Sequence, residues 1–392
     1  MGFSRKQAGA LLAVAVCTTA ANADPVTFDV SGFGTAALTY ADTNKADFTR
    51  DNQPKGANDS VTADVDSLAG VQATVHFSSD LSATAQLVLR RVVSADYELD
   101  VPVAFVKDQL TSDLAVRLGR LPLPLFMVSD YREVGFANTW IRPPQEVYGS
   151  APLYTVNGAD VLYSHTFGPI EVNTQVLYGS SEFDGTGFTS SQKKEAGANL
   201  SLTYGPLTLR YGRMVNHTTI VSAADQLIAA IGAAGFTDLA NQLSTHDKAS
   251  SFTGFGASLD WHNILLQGES TEAKSGGFNP STRGQYALAG YRIQKFTPYA
   301  MYSVRKITSS TTNSTIPAVG PLLPLALGVD ALITGYDQHS SSAGIRWDFH
   351  DSMDAKLQVD HISFQGPGLF ANVQPGFHGP VNVVGLAVDF VF

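Results

Sequence analysis

Apolar and polar residues alternate one for one through most of this chain. In residues 81–90, Leu81, Ala83, Ala85, Leu87 and Leu89 share one face, while Ser82, Thr84, Gln86 and Arg90 share the other. That period of two belongs to a β-strand with one face against apolar surroundings. It returns at 170–178, 196–204, 207–211 and 345–349, and in Val384, Leu386, Val388, Phe390 and Phe392. A helix would bring neighbours three or four apart onto one face, so these segments read as strands. Tight joints rich in Gly, Pro, Asn and Asp fall at 78–80, 110–113, 168–169, 205–206, 262–263, 294–295 and 350–354. Between them lie long polar or irregular joins at 41–66, 94–99, 121–157, 182–192, 217–249, 273–283, 307–338 and 365–378. Counting across the joints gives sixteen strands.

A soluble sandwich would hide its apolar faces in a core. So many strands with one oily and one wet face suit a closed sheet instead, because in lipid every backbone N–H and C=O must be satisfied internally. The expected fold class is all-β: a transmembrane antiparallel β-barrel with short turns at one end and long loops at the other. Tyr40, Phe77, Tyr163, Phe167, Tyr178, Tyr204, Trp261, Tyr302, Trp347, Phe349 and Phe390 stand near strand ends, where interfacial girdles form. An exported soluble all-β protein is the alternative that the pattern leaves open.

Composition agrees. The 392 residues are 44% hydrophobic and only 15% charged, against ~25% charged in soluble domains. No run reaches the ~18 apolar residues of a helical span. Arg5 and Lys6, the apolar stretch 8–16 and Ala21-Asn22-Ala23 together make a signal peptide over 1–23, with a mature chain over 24–392. Cys17, the single cysteine, leaves with it, so no disulfide is expected. Losing Arg5 and Lys6 takes the net charge from −10 to −12, which disfavours nucleic acid as a partner.

Several segments carry a resemblance. Residues 383–392 end in Phe392 with alternating apolar positions, and 26–40 look like an opening strand of the same kind. So does the middle, Arg117-Leu-Gly-Arg120-Leu-Pro, Asp130-Tyr-Arg132-Glu133-Val-Gly and Trp140-Ile-Arg142-Pro-Pro-Gln-Glu146-Val-Tyr148. Over the whole mature chain it resembles the sixteen-stranded general porin superfamily of Gram-negative bacteria. That resemblance implies an outer-membrane homotrimer among outer-membrane lipids and lipopolysaccharide. It also implies recognition of Phe392 by the outer-membrane assembly machinery, and a loop at 121–157 folded into the lumen as its constriction. The implied function is passive diffusion of small hydrophilic solutes and ions. A solute-selective porin for organic acids or sugars is the second reading, and an outer-membrane enzyme or adhesion barrel the third. The Pro-Glu-Phe-Gly-Gly motif of enterobacterial porins is absent, so no eyelet residue transfers.

A barrel of ~16 strands leaves an aqueous channel, and function then depends on what narrows it. Loop 121–157 offers Asp130, Arg132, Glu133, Arg142 and Glu146, behind an apolar opening at 121–127 expected to pack against the wall. From the wall, alternation sends Arg90, Arg117, Arg210 and Arg346 inward, since an Arg facing mid-bilayer lipid would cost ~2–4 kcal/mol. Arg90, Arg117 and Arg210 are expected to face Asp130 and Glu133, polarising the water between; pairing with wall acids is the alternative. Glu171, Asp260, Glu269, Asp348, Asp360 and Asp389 also point inward, which argues against a strongly anion-selective tube. Loops 221–243 and 316–333 carry apolar residues suited to covering the mouth or meeting a neighbouring subunit. Asp42, Asp47, Asp51, Asp59, Asp64 and Asp66 read as a solvated acidic loop. No cofactor, metal or catalytic motif is indicated. Gly32-Phe33-Gly34 is a lone fragment without the helix that a dinucleotide site requires.

Overall fold

The structure, a computed structural model, describes residues 25–50, 53–93, 96–150, 154–313 and 315–392. The leader expected over 1–23, with Cys17, lies outside them, as does Asp51. Sixteen strands form one closed antiparallel barrel in which each pairs with its sequence neighbours. They are β1 (Thr27–Ala41), β2 (Leu68–His76), β3 (Leu81–Arg90), β4 (Glu98–Gln109), β5 (Leu114–Pro122), β6 (Thr155–Phe167), β7 (Ile170–Gly185) and β8 (Phe188–Tyr204). The second half comprises β9 (Leu207–Ser222), β10 (Lys248–Trp261), β11 (Ile264–Lys274), β12 (Thr282–Tyr291), β13 (Phe296–Ile307), β14 (Gln338–His350), β15 (Met353–Phe364) and β16 (Val381–Val391).

Closure runs between β1 and β16, with Ala37 opposite Ala387 and Tyr40 opposite Val384. Gly32 and Phe392 exchange backbone hydrogen bonds at 2.9 and 3.0 Å. This seam explains the Gly32-Phe33-Gly34 fragment. A Cβ on Gly32 would overlap the ring of Phe392, and one on Gly34 the ring of Phe390. The glycines are the floor on which the terminal aromatics lie.

The two faces separate as alternation requires. Val71, Leu87, Leu118, Val161, Val176, Leu266, Leu357 and Leu386 point outward and are exposed. Tyr163, Phe167, Tyr204, Trp261, Phe296 and Trp347 ring the short-turn end, with Tyr40 and Tyr302 higher up. Among the described residues no helix is long and apolar enough to cross a membrane, and the strands do not need one.

Two joins differ from the expectation. Residues 182–192 are not a long loop, because β7 and β8 extend to within two residues of each other across bulges at 179–181 and 193–196. Above the lipid both faces of a hairpin can be wet, so the alternation that marks strands disappears. Residues 217–249 are shorter than read, since β9 continues to Ser222 before α2 (Ala224–Ala233) and α3 (Thr237–Leu243), which follow the short α1 (Gln145–Tyr148) in chain order. The other apolar join forms α4 (Leu323–Ile333), with Pro324 in its first turn where no N–H is missed. These two loops cover each other: Ile228, Ile231, Ala240 and Leu243 pack against Ile316, Ala326 and Val329. A second cluster joins the loop after β1 to the loop before β16 through Phe48, Ala57, Val65, Phe370 and Phe377.

Candidate functional site: a loop fastened inside the barrel

After β5 the chain turns into the lumen. The wall there is unusual: Leu177, Met214, Phe252, Tyr286, Leu288, Tyr299 and Met301 occupy inward positions yet are apolar and buried. Leu123, Leu125, Phe126, Met127, Val128, Trp140, Val147 and Tyr148 of the loop cover them. Phe126 stacks on Tyr148 with centroids 4.4 Å apart, and Trp140 meets Tyr286 edge-on at 5.6 Å. Each such side chain withdrawn from water contributes roughly 1.5–3 kcal/mol, so this loop is the core of the molecule.

Polar fasteners set its path. On β11, Glu269 accepts the Met127 N–H at 2.9 Å and the hydroxyls of Tyr286, at 2.9 Å, and Tyr148. Burial, reinforced by the Glu269 carboxylate, pushes the Tyr148 hydroxyl well above its ordinary pKa and keeps it a donor. Next, Lys356 donates to the Gly135 carbonyl at 2.7 Å and to Asp389 at 2.8 Å. An added Cβ at Gly135 would overlap Asp389 and Thr35. Arg346 donates to the carbonyls of Phe136 and Asn138 at 2.7 and 2.9 Å, and Gln358 accepts the Ile141 N–H at 2.9 Å. Arg142 then bridges Asp66 at 2.6 Å and Asp360 at 2.8 Å. Burial alone would raise the Asp66 carboxyl, but the Arg142 and Arg50 guanidiniums outweigh it and hold the group at about 2. Last, Glu146 accepts from Ser303 and Gln338, both at 2.9 Å, and from Ser340.

The predicted residues divide accordingly. Arg90 reaches Glu133 at 3.0 Å as well as Asp100 at 2.8 Å, and Arg210 lies 3.7 Å from Asp130. Arg117 does not face those acids. It pairs with Asp160, directly opposite on β6, with Nε 3.0 Å from Oδ1, because a cross-strand neighbour is nearer than the loop. Arg132 lies over the Tyr154 ring at 3.8 Å and donates to its hydroxyl at 3.0 Å. Arg142 and Glu146 are only 3% and 2% exposed and stand behind the loop as fasteners rather than on the wetted lining. Arg346 likewise holds the loop while pairing Asp348 at 2.8 Å and Asp354 at 3.1 Å. The acids of the first long loop are partly structural: Asp66 and Asp47 are buried, Asp47 accepts from Asn372 at 2.7 Å, and Asp64 pairs Arg91. Among the described residues no three His, Cys, Asp or Glu converge as metal ligands.

Sequence reasoning passed over Lys356, Gln358, Ser303, Gln338, Ser340 and Gly135. The rule that turned Arg346 inward also turns Lys356 inward, but alternation does not say which inward residue meets a loop.

Solved structures share this architecture at low sequence identity. OmpF of Salmonella typhi, in a complex with daunomycin, superposes with a TM-score of 0.58 at 10% identity, over 93% of this chain and 97% of that one. The chain has the sixteen-stranded porin fold. An anion-selective porin from Comamonas acidovorans aligns at TM-score 0.54 and 12% identity, over 94% of this chain and all of the other. OmpT, an outer-membrane protein of Vibrio cholerae solved in a trimer form, aligns at 0.55 and 14%, with 94% and 100% covered. Neither a protein-family model nor a curated protein matches the chain.

Proposed function

We propose that this protein is an outer-membrane channel for passive diffusion of small hydrophilic solutes and ions, delivered by a leader over 1–23. The observation that carries the reading is the reversal of ordinary protein chemistry around the barrel. Outward positions are exposed and apolar, while inward ones away from the loop are Gln72, Gln86, Gln175, Asn199 and Asp160. A sheet built this way is stable with lipid outside and water inside. In this reading the wetted constriction lies where Glu133 and Asp130 of the loop meet Arg90 and Arg210 of the wall. Arg117, Arg132, Arg142, Glu146 and Arg346 shape it from behind or beside. The likeness to OmpF and to an anion-selective porin supports a channel rather than an enzyme.

A homotrimer fits the same picture. One outward row on the first strands is small, with Ala73, Ala85 and Ala104 side by side across β2, β3 and β4. Such a flat apolar face accepts a second barrel closely, and one similar structure is described as a trimer. The experiment is reconstitution of the purified barrel in a planar bilayer and in liposomes. Stepwise ohmic conductance, size-limited swelling and absence of phospholipid hydrolysis are expected; a folded barrel that inserts without conductance overturns the reading.

A further inference from the structure

Residues 128–138 of the loop between β5 and β6 repeat every three positions. Short 3₁₀ turns at Ser129–Tyr131 and Gly135–Ala137 are joined by one chain of backbone hydrogen bonds. Tyr131 donates to Val128 at 3.1 Å, Val134 to Tyr131 at 3.0 Å and Ala137 to Val134 at 3.0 Å. Side chains three apart eclipse in this geometry, so the segment has three faces. Arg132, Gly135 and Asn138 turn to the wall: Arg132 and Asn138 are buried, and a Cβ on Gly135 would overlap Asp389. Asp130, Glu133 and Phe136 each meet an arginine of the wall. Asp130 lies 3.7 Å from Arg210, Glu133 lies 3.0 Å from Arg90, and the Phe136 ring centre lies 5.0 Å from the Arg346 guanidinium. Tyr131, Val134 and Ala137 form the third face, which carries the exposure: Tyr131 is 40% exposed, Val134 half-buried and Ala137 exposed.

The two acids of this segment are thus answered from within the protein, and what it turns to the lumen is an apolar row. On the wall next below Arg90 the inward groups are polar and uncharged. Gln86 donates to Gln72 at 3.3 Å, and Thr74 and Thr84 share a hydrogen bond at 2.9 Å. An apolar surface beside a few neutral polar groups is the usual make-up of a small-molecule contact. We propose that Tyr131, Val134 and Ala137 are a contact strip for neutral solutes with one flat apolar face, such as aryl glycosides and other hydroxyl-bearing aromatics. The inference rests on the channel reading and names a solute class for it. The ring of the solute lies on Tyr131, with Val134 and Ala137 continuing the strip, while its hydroxyls keep hydrogen bonds to water. A charged solute gains little, because Asp130 and Glu133 already have cations beside them.

Single-channel recording in potassium chloride tests the strip, with phenyl β-glucoside, methyl β-glucoside and benzoate as added solutes. Phenyl β-glucoside is expected to interrupt the current reversibly, more often as its concentration rises. Methyl β-glucoside has the same sugar hydroxyls without the ring and should leave the current steady, and benzoate should interrupt it no more strongly than phenyl β-glucoside. Tyr131→Ser should raise the half-blocking concentration of phenyl β-glucoside about 10-fold. Val134→Asn should raise it in the same direction, and Tyr131→Phe, which keeps the ring, should leave it unchanged. Silence of phenyl β-glucoside, equal interruption by methyl β-glucoside, stronger interruption by benzoate, or indifference to Tyr131→Ser overturns the proposal. Current in potassium chloride alone is recorded first: its absence overturns the channel reading, whereas failure of the strip leaves that current intact.

Discussion

Gly32 and Gly34 matter because of what lies on them. Their missing side chains leave room for Phe392 and Phe390 across the closing seam. Replacing Gly34 with Val should force the Phe390 ring off the strand and cost about 1–3 kcal/mol, the usual range for overpacking, read as a lower denaturant midpoint in detergent. Asp66 gives a second test at this scale. Its folded pKa of about 2 lies below the ordinary 3.8. Stability from this group is therefore complete above pH ~4 and disappears as the pH falls through 2, amounting to about 2 kcal/mol by linkage. The stability gap between the protein and Asp66→Asn should accordingly be wide at pH 7 and shrink toward pH 2; a gap independent of pH would contradict the assignment. Neither feature was legible as such in the sequence. The glycine pair read as a stray motif fragment and Asp66 as one acid among six, because both acquire meaning from residues more than 70 positions away.

Among elements, the loop between β5 and β6 holds some of its charges buried against the wall, as with Arg142 and Glu146, and leaves Asp130 more open. Reversing Arg90 or Arg210 to Glu should shift ion selectivity toward cations in bilayer recordings. Arg117→Glu should instead lower stability, since it sets a second acid against the buried Asp160; a selectivity shift from Arg117→Glu larger than that from Arg90→Glu would reverse this division. Lys356 is the sharpest structural test. It is fully enclosed with Asp354 and Asp389 and touches the loop backbone. Lys356→Ala leaves the buried Asp389 without its cation while Arg346 still pairs Asp354, a change that costs about 3–5 kcal/mol, and should appear as lower stability with noisier open-channel current. Strand existence was readable wherever one face meets lipid, as in 81–90 or 384–392. It failed at 182–192, where β7 and β8 rise into water and the periodicity has no physical cause. The helical spacing of Leu227, Ile228, Ile231, Leu239 and Leu243 was legible as well, but their partner, the join holding α4, was not.

For the whole molecule, the barrel is a shell whose core is its own loop. A closed sheet of this width would otherwise leave Met214, Phe252, Tyr286 and Met301 facing water. That arrangement makes the inner apolar positions and the loop's apolar run at 123–128 one feature seen twice. Composition and alternation announced the shell from end to end, because lipid imposes the same demand on every strand. The lumen obeys no such uniform rule, and only the structure could sort fasteners from lining. The central claim, that wet and oily sides are reversed, is tested most directly with paired cysteines, since residues 24–392 contain none. Gln86→Cys and Leu87→Cys are adjacent on β3, the first facing Gln72 across the lumen side and the second exposed on the other. A charged, water-soluble methanethiosulfonate applied to open channels should reduce the conductance of Gln86→Cys in discrete steps and leave Leu87→Cys unchanged. Modification of Leu87→Cys with Gln86→Cys silent would contradict the account.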